Sequence, residues 1–298
     1  SVASRGLGDV YKRQRLHWFD KHLILKTPSE IKAFMRYLPT QDCVAKVFKS
    51  YSIGIDKRTF KEELSNMQTI FKLFGQKRTQ KMTTLTHLQL YDFNFVAAYF
   101  EFKDGNYKYV TFTTRCDADL EHVKFTNHRI KLLIRHILPA FVTMQSKSYM
   151  HSDIKPDNII YCHKTRRYKL IDWGLLRQMD STKYVHVNTK FGSPVAHYLN
   201  GLPAFIALNI FYYANLYAYP DWCSSAIFKE LYAFISKEMQ TATRSYDEYK
   251  NRFDLFGFGM SIAYLVHKYN LNWAKFRPIV LDMISLKRAK SAKNILDR

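Results

Sequence analysis

The chain has 298 residues, of which 47% are hydrophobic and 16% aromatic, and this composition is sufficient for one or two buried cores. It contains no uninterrupted apolar stretch of about 18 residues, because the richest segment, Leu202–Tyr219, includes Pro203, Asn209 and Asn215, which argues against a membrane-spanning helix. The formal net charge of +21 indicates first a solvated basic surface, then attraction to acidic substrates or phosphorylated partners, and last incidental binding of nucleic acid or anionic membranes.

The basic residues form only short clusters, such as Lys164–Arg167, and no nucleic-acid-binding motif occurs. The cysteines also lack a pattern, because their spacing fits neither a CxxC motif nor a metal site. They are Cys43, Cys116, Cys162 and Cys223. A reducing compartment, the cytoplasm, fits this usage best.

The first residues are not expected to belong to the fold. Asp9–Gln14 reads DVYKRQ, which resembles a translated sequencing-library adapter, so Ser1–Gln14 is set aside. On that interpretation the native amino terminus is missing from this sequence. The alternative is a genuine basic tail.

The first predicted strand is the β-rich run Cys43–Phe48. Strand alternation places Val44, Lys46 and Phe48 on one face and Lys49 on the other, so one lysine at most can enter a given cleft.

A helix of about Thr59–Phe74 follows, and a second strand spans Tyr107–Thr113. In the helix two acids, Glu62 and Glu63, stand together. Met67, Ile70 and Leu73 continue a buried side in phase with Glu63, which leaves Glu62 as the surface charge.

The next segment is a predicted buried helix that leads into a polar loop. Apolar residues recur there at helical spacing: Ile130, Leu133, Ile134, Ile137, Leu138, Phe141, Val142 and Met144. The loop His151–Asn158 then reads HSDIKPDN. Two short strands, Ile159–Tyr161 and Tyr168–Ile171, follow it and deliver Asp172 at a strand end.

The polar residues of this loop fit one chemistry. A carboxylate at Asp153 can orient a hydroxyl, and a lysine at Lys155 can lie against a transferring phosphate. Asn158 and Asp172 offer oxygen donors, the ligands that Mg²⁺ prefers. The spacing therefore predicts magnesium-assisted phosphoryl transfer. A chance polar turn is the alternative, and it is disfavoured because the flanking helix and strands agree.

These motifs resemble eukaryotic-type serine/threonine protein kinases over roughly residues 40–298. His151–Asn158 is similar to the family's HRDxKxxN loop, and Asp172-Trp173-Gly174 is similar to its DFG. Asp254 with Gly259, at the start of an apolar helical run through Val266, resembles its DxxSxG. The resemblance implies an α+β, bilobal fold. Residues 15–116 would form a small β-rich lobe and 117–298 a larger, mainly helical lobe.

The resemblance also implies roles. Asp153 and Lys155 would be catalytic, and Asn158 and Asp172 would bind Mg²⁺. Lys155 further implies serine/threonine specificity.

Nucleotide-binding residues follow by the same resemblance. Lys46 would hold the ATP phosphates, paired with Glu63, with Lys49 and Glu62 as the competing assignments. The remaining expected ATP-binding residues lie around the adenine, where the backbone of 113–116 forms the hinge: Val44, Phe112, Thr113, Arg115, Cys116 and Ile160.

Several departures from the family are evident. No glycine occurs between Gly8 and Gly54, so the glycine-rich phosphate loop is not recognisable, and Lys26–Ser29 is the candidate cover. Ser152 replaces the arginine that binds an activation-loop phosphate, which predicts activity without such phosphorylation.

A further departure lies after the loop. Phe191–Pro194 resembles the family's substrate-docking turn, but no Ala-Pro-Glu follows. An aromatic-rich insertion occupies about 199–249. It is interpreted as extra helices packed on the second lobe, or alternatively as a docking surface for substrate or partner. A last helix is expected at about Ser291–Asp297.

The sequence therefore predicts an ATP- and Mg²⁺-dependent protein serine/threonine kinase, whose protein substrates carry hydroxyl groups and are acidic. The alternatives are a pseudokinase scaffold and a small-molecule phosphotransferase of similar fold. The retained and lost motifs together resemble kinases of large double-stranded DNA viruses, which implies the host cytoplasm or the virion.

Overall fold

The computed structural model describes residues 43–49, 62, 65–66, 69–70, 73, 89–90, 96–97, 99–101, 107–114, 118–120, 123–162, 166–179, 191–287 and 291–297. The chain divides into two compact units, Ser1–Cys116 and Asp117–Arg298.

The first unit contains short antiparallel sheets. Its strands are β1 (Cys43–Lys49), β2 (Gln89–Leu90), β3 (Val96–Ala97), β4 (Tyr99–Glu101) and β5 (Tyr107–Thr114). One sheet has the order β1-β5-β4, and β2 pairs with β3. Lys46 lies opposite Thr111, and the register shifts between Phe48 and Lys49. β5 continues through Thr114, one residue further than the pattern predicts.

Helical residues occur at positions 62, 65–66, 69–70 and 73, within the predicted helix of about Thr59–Phe74. Glu62 is exposed and Ile70 is buried. Both observations agree with the apolar spacing, which places Ile70 on the interior side of the helix and Glu62 on the solvent side.

The second unit begins with a strand and a long helix. These are β6 (Ala118–Asp119) and α1 (Asn127–Ser146). Thr126 caps the helix, because its hydroxyl accepts a hydrogen bond from the Arg129 N–H. Six residues at helical spacing are buried, as the sequence predicts: Ile130, Leu133, Ile137, Leu138, Phe141 and Met144. α1 therefore carries its apolar side into the core immediately before the polar loop.

Four short strands flank that loop. They are β7 (Tyr149–Met150), β8 (Ile159–Cys162), β9 (Arg167–Leu170) and β10 (Arg177–Gln178). β6, β8 and β9 form one antiparallel sheet, and β7 pairs with β10. Single 3₁₀ turns span Pro156–Asn158 and Trp173–Leu175.

The remaining helices are α2 (Val195–Leu199), α3 (Ala204–Ala218), α4 (Pro220–Ser224), α5 (Ala226–Met239), α6 (Tyr246–Tyr249), α7 (Phe253–Lys268), α8 (Trp273–Ile284) and α9 (Ala292–Leu296). α7 is buried from Phe253 through Val266 and contacts α1, α4, α5 and α8. A helix that is apolar on all sides needs such surroundings. α7 is therefore the centre of this unit.

The predicted insertion is helical. Its aromatic side chains join α3, α4 and α5 to α7, for example through Phe211 against Phe256 at 5.9 Å and Trp222 against Tyr264 at 5.9 Å between ring centroids. The buried Glu238 on α5 accepts hydrogen bonds from the Ser285 hydroxyl, at 2.9 Å, and from the Leu286 N–H. Most of residues 199–249 therefore form helices, several of which pack on α7 of the second unit.

No helix among the described residues is long and apolar enough to cross a membrane.

Candidate active site

The polar loop His151–Asn158 is hydrogen-bonded to Asp254, in the first turn of α7. The Asp254 carboxylate accepts hydrogen bonds from the His151 N–H, at 2.7 Å, and from the Ser152 N–H, at 2.9 Å. Its burial raises the pKa of this carboxyl, while the His151 side chain, the two N–H groups and Arg177 act in the opposite direction. The loop is thus hydrogen-bonded to the most buried helix of the unit.

The His151 side chain joins the loop to the segment that carries Asp172. Its Nδ1 accepts a hydrogen bond from the Asp153 N–H at 3.3 Å, so Nε2 bears the proton and donates to the Ile171 carbonyl at 3.0 Å. The imidazole also lies against Trp173, with ring centroids 4.6 Å apart. His151 is fully buried and bridges the two halves of the site.

Three side chains of the loop form one hydrogen-bonded group, named here the Asp153 group: Asp153, Lys155 and Asn158. The Asp153 Oδ2 accepts from Lys155 Nζ at 3.0 Å and from Asn158 Nδ2 at 2.7 Å. Asn158 Nδ2 also donates to the Asp153 carbonyl at 2.8 Å. Asp153 and Asn158 are 8% and 5% exposed, so these contacts are largely shielded from water.

The backbone brings Asp172 next to this group. The Ile171 N–H donates to the Asn158 carbonyl at 2.9 Å, directly before Asp172. Asp172 itself is half-buried and has a left-handed backbone, with φ of 62°. Its conformation turns the chain sharply from β9 into the Trp173 turn.

The donor set around Asn158 and Asp172 fits Mg²⁺. Because the Asn158 amide nitrogen donates to Asp153, its oxygen is the atom that can bind a cation. Together with the Asp172 carboxylate it provides two hard oxygen ligands, and Mg²⁺ completes its shell with waters and phosphates. No group of three or more His, Cys, Asp or Glu residues that could hold a metal occurs in the described part of the chain.

Ser152 stands where the resemblance expects an arginine, and its backbone is strained. Its φ is 67°, a region that side chains other than glycine rarely adopt. The side chain is buried, and within the described residues its Oγ has no hydrogen-bond partner. The two N–H groups bound to Asp254 hold the loop in this conformation.

Ile160 lies in the middle of β8, opposite Lys169 of β9. Paired residues of antiparallel strands point to the same face, so the face predicted to contact adenine also carries a lysine. Lys169 is 4% exposed, and burial lowers its pKa to about 8.

The predicted nucleotide-binding residues of the first unit are described in part. Val44 and Lys46 lie in β1, and Phe112 and Thr113 lie in β5, paired with Ala45 and Val44. Glu63, Arg115 and Cys116 lie outside the described residues, as do Ser1–Gln14 and Lys26–Ser29.

Sequence reasoning missed the roles of two residues. Asp254 and His151 appear in the motifs, but their spacing does not reveal that one anchors the loop and the other bridges it to Asp172. A polar residue at the start of an otherwise apolar helix was the available signal for Asp254.

Residues 56–198 match the family model of the protein kinase domain. The matched segment contains the Asp153 group and Asp172, and it ends within α2. Such domains have a bilobal fold and generally use ATP and Mg²⁺ to phosphorylate proteins. Over this segment the chain is similar to protein kinase domains, and the match supports phosphoryl transfer as the general chemistry.

Proposed function

We propose that the chain is a protein serine/threonine kinase that transfers the γ-phosphate of ATP to a protein hydroxyl. The observation that carries the proposal is the Asp153 group, in which one buried carboxylate is held by Lys155 and Asn158. Catalysis of this transfer consists mainly of positioning and electrostatic stabilisation, and such a group supplies both.

In this mechanism the Asp153 carboxylate accepts the hydrogen bond of the substrate hydroxyl and orients it toward the phosphorus. Lys155 and Asn158 fix the carboxylate through Oδ2, which reduces its freedom before substrate binds. The ammonium group of Lys155 also stabilises the negative charge that develops on the transferred phosphoryl group.

Asn158 and Asp172 would hold Mg²⁺, which supplies neutralisation of the phosphate charge when bound. The hydrogen bond from the Ile171 N–H to the Asn158 carbonyl and the His151 bridge keep these two residues in register.

For the nucleotide, Lys46 paired with Glu63 would hold the α- and β-phosphates. Val44, Phe112 and Ile160 would contact the adenine, and the backbone of Thr113, Arg115 and Cys116 would hydrogen-bond to it. Lys155 favours serine and threonine over tyrosine, by the resemblance. A basic chain of net charge +21 favours acidic protein substrates.

The test is radiolabelled phosphate transfer from Mg·ATP to casein and to a basic protein, with wild type beside Asp172→Ala. Transfer to serine or threonine that is lost in the variant supports the proposal. Phosphorylated metabolites in place of phosphoprotein would indicate a small-molecule phosphotransferase. No transfer by either protein, with ATP binding also undetectable, would indicate a pseudokinase scaffold.

A further inference from the structure

Helix α3 presents aromatic side chains on the side that faces away from the core. Phe205, Tyr213 and Tyr217 are 65%, 64% and 79% exposed, and they are defined here as the aromatic face. The opposite side of the helix, with Ala207, Phe211 and Asn215, is buried. A surface helix ordinarily places charged or polar residues on its outer side, so this aromatic face requires a separate explanation.

The segment around the aromatic face is free of formal charge. No Asp, Glu, Lys or Arg occurs from residue 191 to 220, in a chain of which 24% is charged. His197 is its one titratable side chain apart from tyrosines. The lack of charge extends through the loop before α3 and is not confined to the helix.

Positive charge borders this segment on α5. The two helices pack through rings, with Tyr212 against Phe228 at 6.0 Å and against Tyr232 at 5.4 Å between centroids. On its outer side α5 exposes Lys229 and Lys237.

The acids of α5 are engaged elsewhere. Glu230 accepts hydrogen bonds from Trp273 and Arg277, and Glu238 is buried against Ser285. Asp221, on the short α4, is exposed. The outward sides of α3 and α5 therefore combine aromatic rings with lysines.

We propose that the aromatic face docks on the surface of an anionic phospholipid bilayer. Tyr213 and Tyr217 enter the headgroup region, where a ring with a polar tip is favoured, Phe205 inserts at the boundary with the acyl chains, and Lys229 and Lys237 approach the lipid phosphates. α3 has 15 residues, fewer than the roughly 20 needed to span a bilayer, so it lies along the surface.

Charge favours this occupant over a second copy of the chain. Two copies would bring net charges of +21 together, whereas an anionic lipid surface attracts them. The headgroup region also accommodates aromatic rings at any position along a helix, so it requires no complementary pocket for each ring. On net charge alone, an anionic membrane is among the least favoured partners. The exposed aromatic rings make it the favoured one.

The experiment is co-sedimentation of the full chain with vesicles of phosphatidylcholine alone and of phosphatidylcholine with roughly a third phosphatidylserine. We expect binding to the anionic vesicles, weak binding to the neutral ones, and a decrease as salt is raised.

The decisive variant replaces Phe205, Tyr213 and Tyr217 with serine, and we expect at least about a tenfold loss of vesicle affinity. Lys229→Gln and Lys237→Gln should each weaken binding roughly fivefold at low salt. Matched controls are Leu296→Ser, an exposed apolar residue on α9, and Lys275→Gln, an exposed lysine on α8. Both controls should bind like wild type.

Circular dichroism and thermal melting establish that the serine variant folds, and Tyr213→Ser with Tyr217→Ser serves as a milder version. The proposal is overturned if wild type does not bind anionic vesicles, or if a folded serine variant binds them as well as wild type. It is also overturned if these aromatic residues prove to be needed for dimerisation or for binding an acidic protein while vesicles are ignored.

Discussion

At the scale of single residues, the Asp153 carboxylate is held in place by two neighbouring side chains. Lys155 and Asn158 both donate to its Oδ2, and the side chain has little access to water. A carboxylate held in this way has one orientation. In the proposed mechanism, a substitution that keeps this orientation therefore tests the charge and basicity of the carboxylate.

Asp153→Asn keeps the shape of this side chain and removes its charge and its basicity. We expect phosphate transfer to fall by about 10²- to 10⁴-fold, with ATP affinity nearly unchanged, because the proposed role concerns the hydroxyl and not the nucleotide. Asp157→Asn, the same chemical change four positions along the chain, is the control and should retain transfer. Single-turnover transfer and calorimetric titration with Mg·ATP are the measurements, and unchanged turnover in Asp153→Asn would refute the assignment.

Ser152 combines a strained backbone with a buried hydroxyl. Ser152→Gly should raise the free energy of unfolding by up to about 1 kcal/mol, because glycine adopts a φ of 67° without a steric cost. Ser152→Ala removes the hydroxyl but keeps the strain, so it separates the two contributions. Urea unfolding measures both, and a glycine variant less stable than the alanine variant would contradict the strain argument.

His136, on α1, gives the protein a pH dependence. Its Nδ1 accepts the Tyr168 N–H at 3.3 Å, and burial together with Arg167 and Arg135 lowers its pKa below 6.5. Below pH 6.5 the unfolded chain therefore binds a proton that the folded chain does not, so stability falls as the pH is lowered through that value.

We expect His136→Gln to flatten this part of the stability profile between about pH 7 and 5, because glutamine has no proton to gain. Urea midpoints for both proteins across this range test the expectation. Parallel profiles for wild type and variant would show that His136 does not contribute.

At the scale of elements, two glycines of α7 determine what the helix can approach. A Cβ at Gly257 would lie 2.8 Å from the Ile154 carbonyl oxygen, inside the polar loop His151–Asn158. A Cβ at Gly259 would lie 2.8 Å from Ile284 Cγ2 and 2.9 Å from Met283 Cβ, on α8. One glycine therefore admits the loop and the other admits a neighbouring helix.

Gly257→Ala and Gly259→Ala form a matched pair. Both should lower the free energy of unfolding by about 1–3 kcal/mol through overpacking. Only Gly257→Ala should also lower kcat strongly, because Ile154 separates Asp153 from Lys155 and its displacement moves both. Chemical denaturation and steady-state kinetics at a temperature where both variants are folded distinguish the two. Equal kcat values for the pair would show that the loop tolerates the shift.

At the scale of the whole molecule, a chain of net charge +21 carries a serine at position 152 of its polar loop, where the family resemblance implies an arginine. A buried arginine there would need a negative partner such as a phosphate, whereas a serine does not. On the proposed function, the loop His151–Asn158 would therefore not need phosphorylation of the segment 175–192 to be in place.

We expect recombinant protein treated with a phosphatase to keep its rate of phosphate transfer within about twofold. The reason is that position 152 carries no arginine that would need a phosphate as its partner. Mass spectrometry confirms the removal of phosphate, and the kinase assay follows. A protein that gains most of its activity only after phosphorylation within 175–192 would refute the expectation.

The sequence by itself determined the elements with a strong local pattern. Local sequence patterns predict the helices α1 and α7, through their apolar spacing, and the strands β1 and β5, through their β-rich runs. The polar loop His151–Asn158 is likewise visible in a short stretch of sequence. Strand ends differ by a residue because hydrogen bonding across the sheet decides them, as in β5, β8 and β9.

Only the tertiary structure decided which distant groups meet. The hydrogen bond from the His151 N–H to the Asp254 carboxylate joins residues 103 positions apart, and no local sequence pattern predicts such a pairing. In α3 apolar and aromatic residues occur on every side, and of its two asparagines Asn209 is exposed and Asn215 is buried, so periodicity does not distinguish the buried Phe211 from the exposed Tyr217. The packing of α3 against its neighbours makes that choice, because burial depends on what surrounds a helix as well as on its own residues.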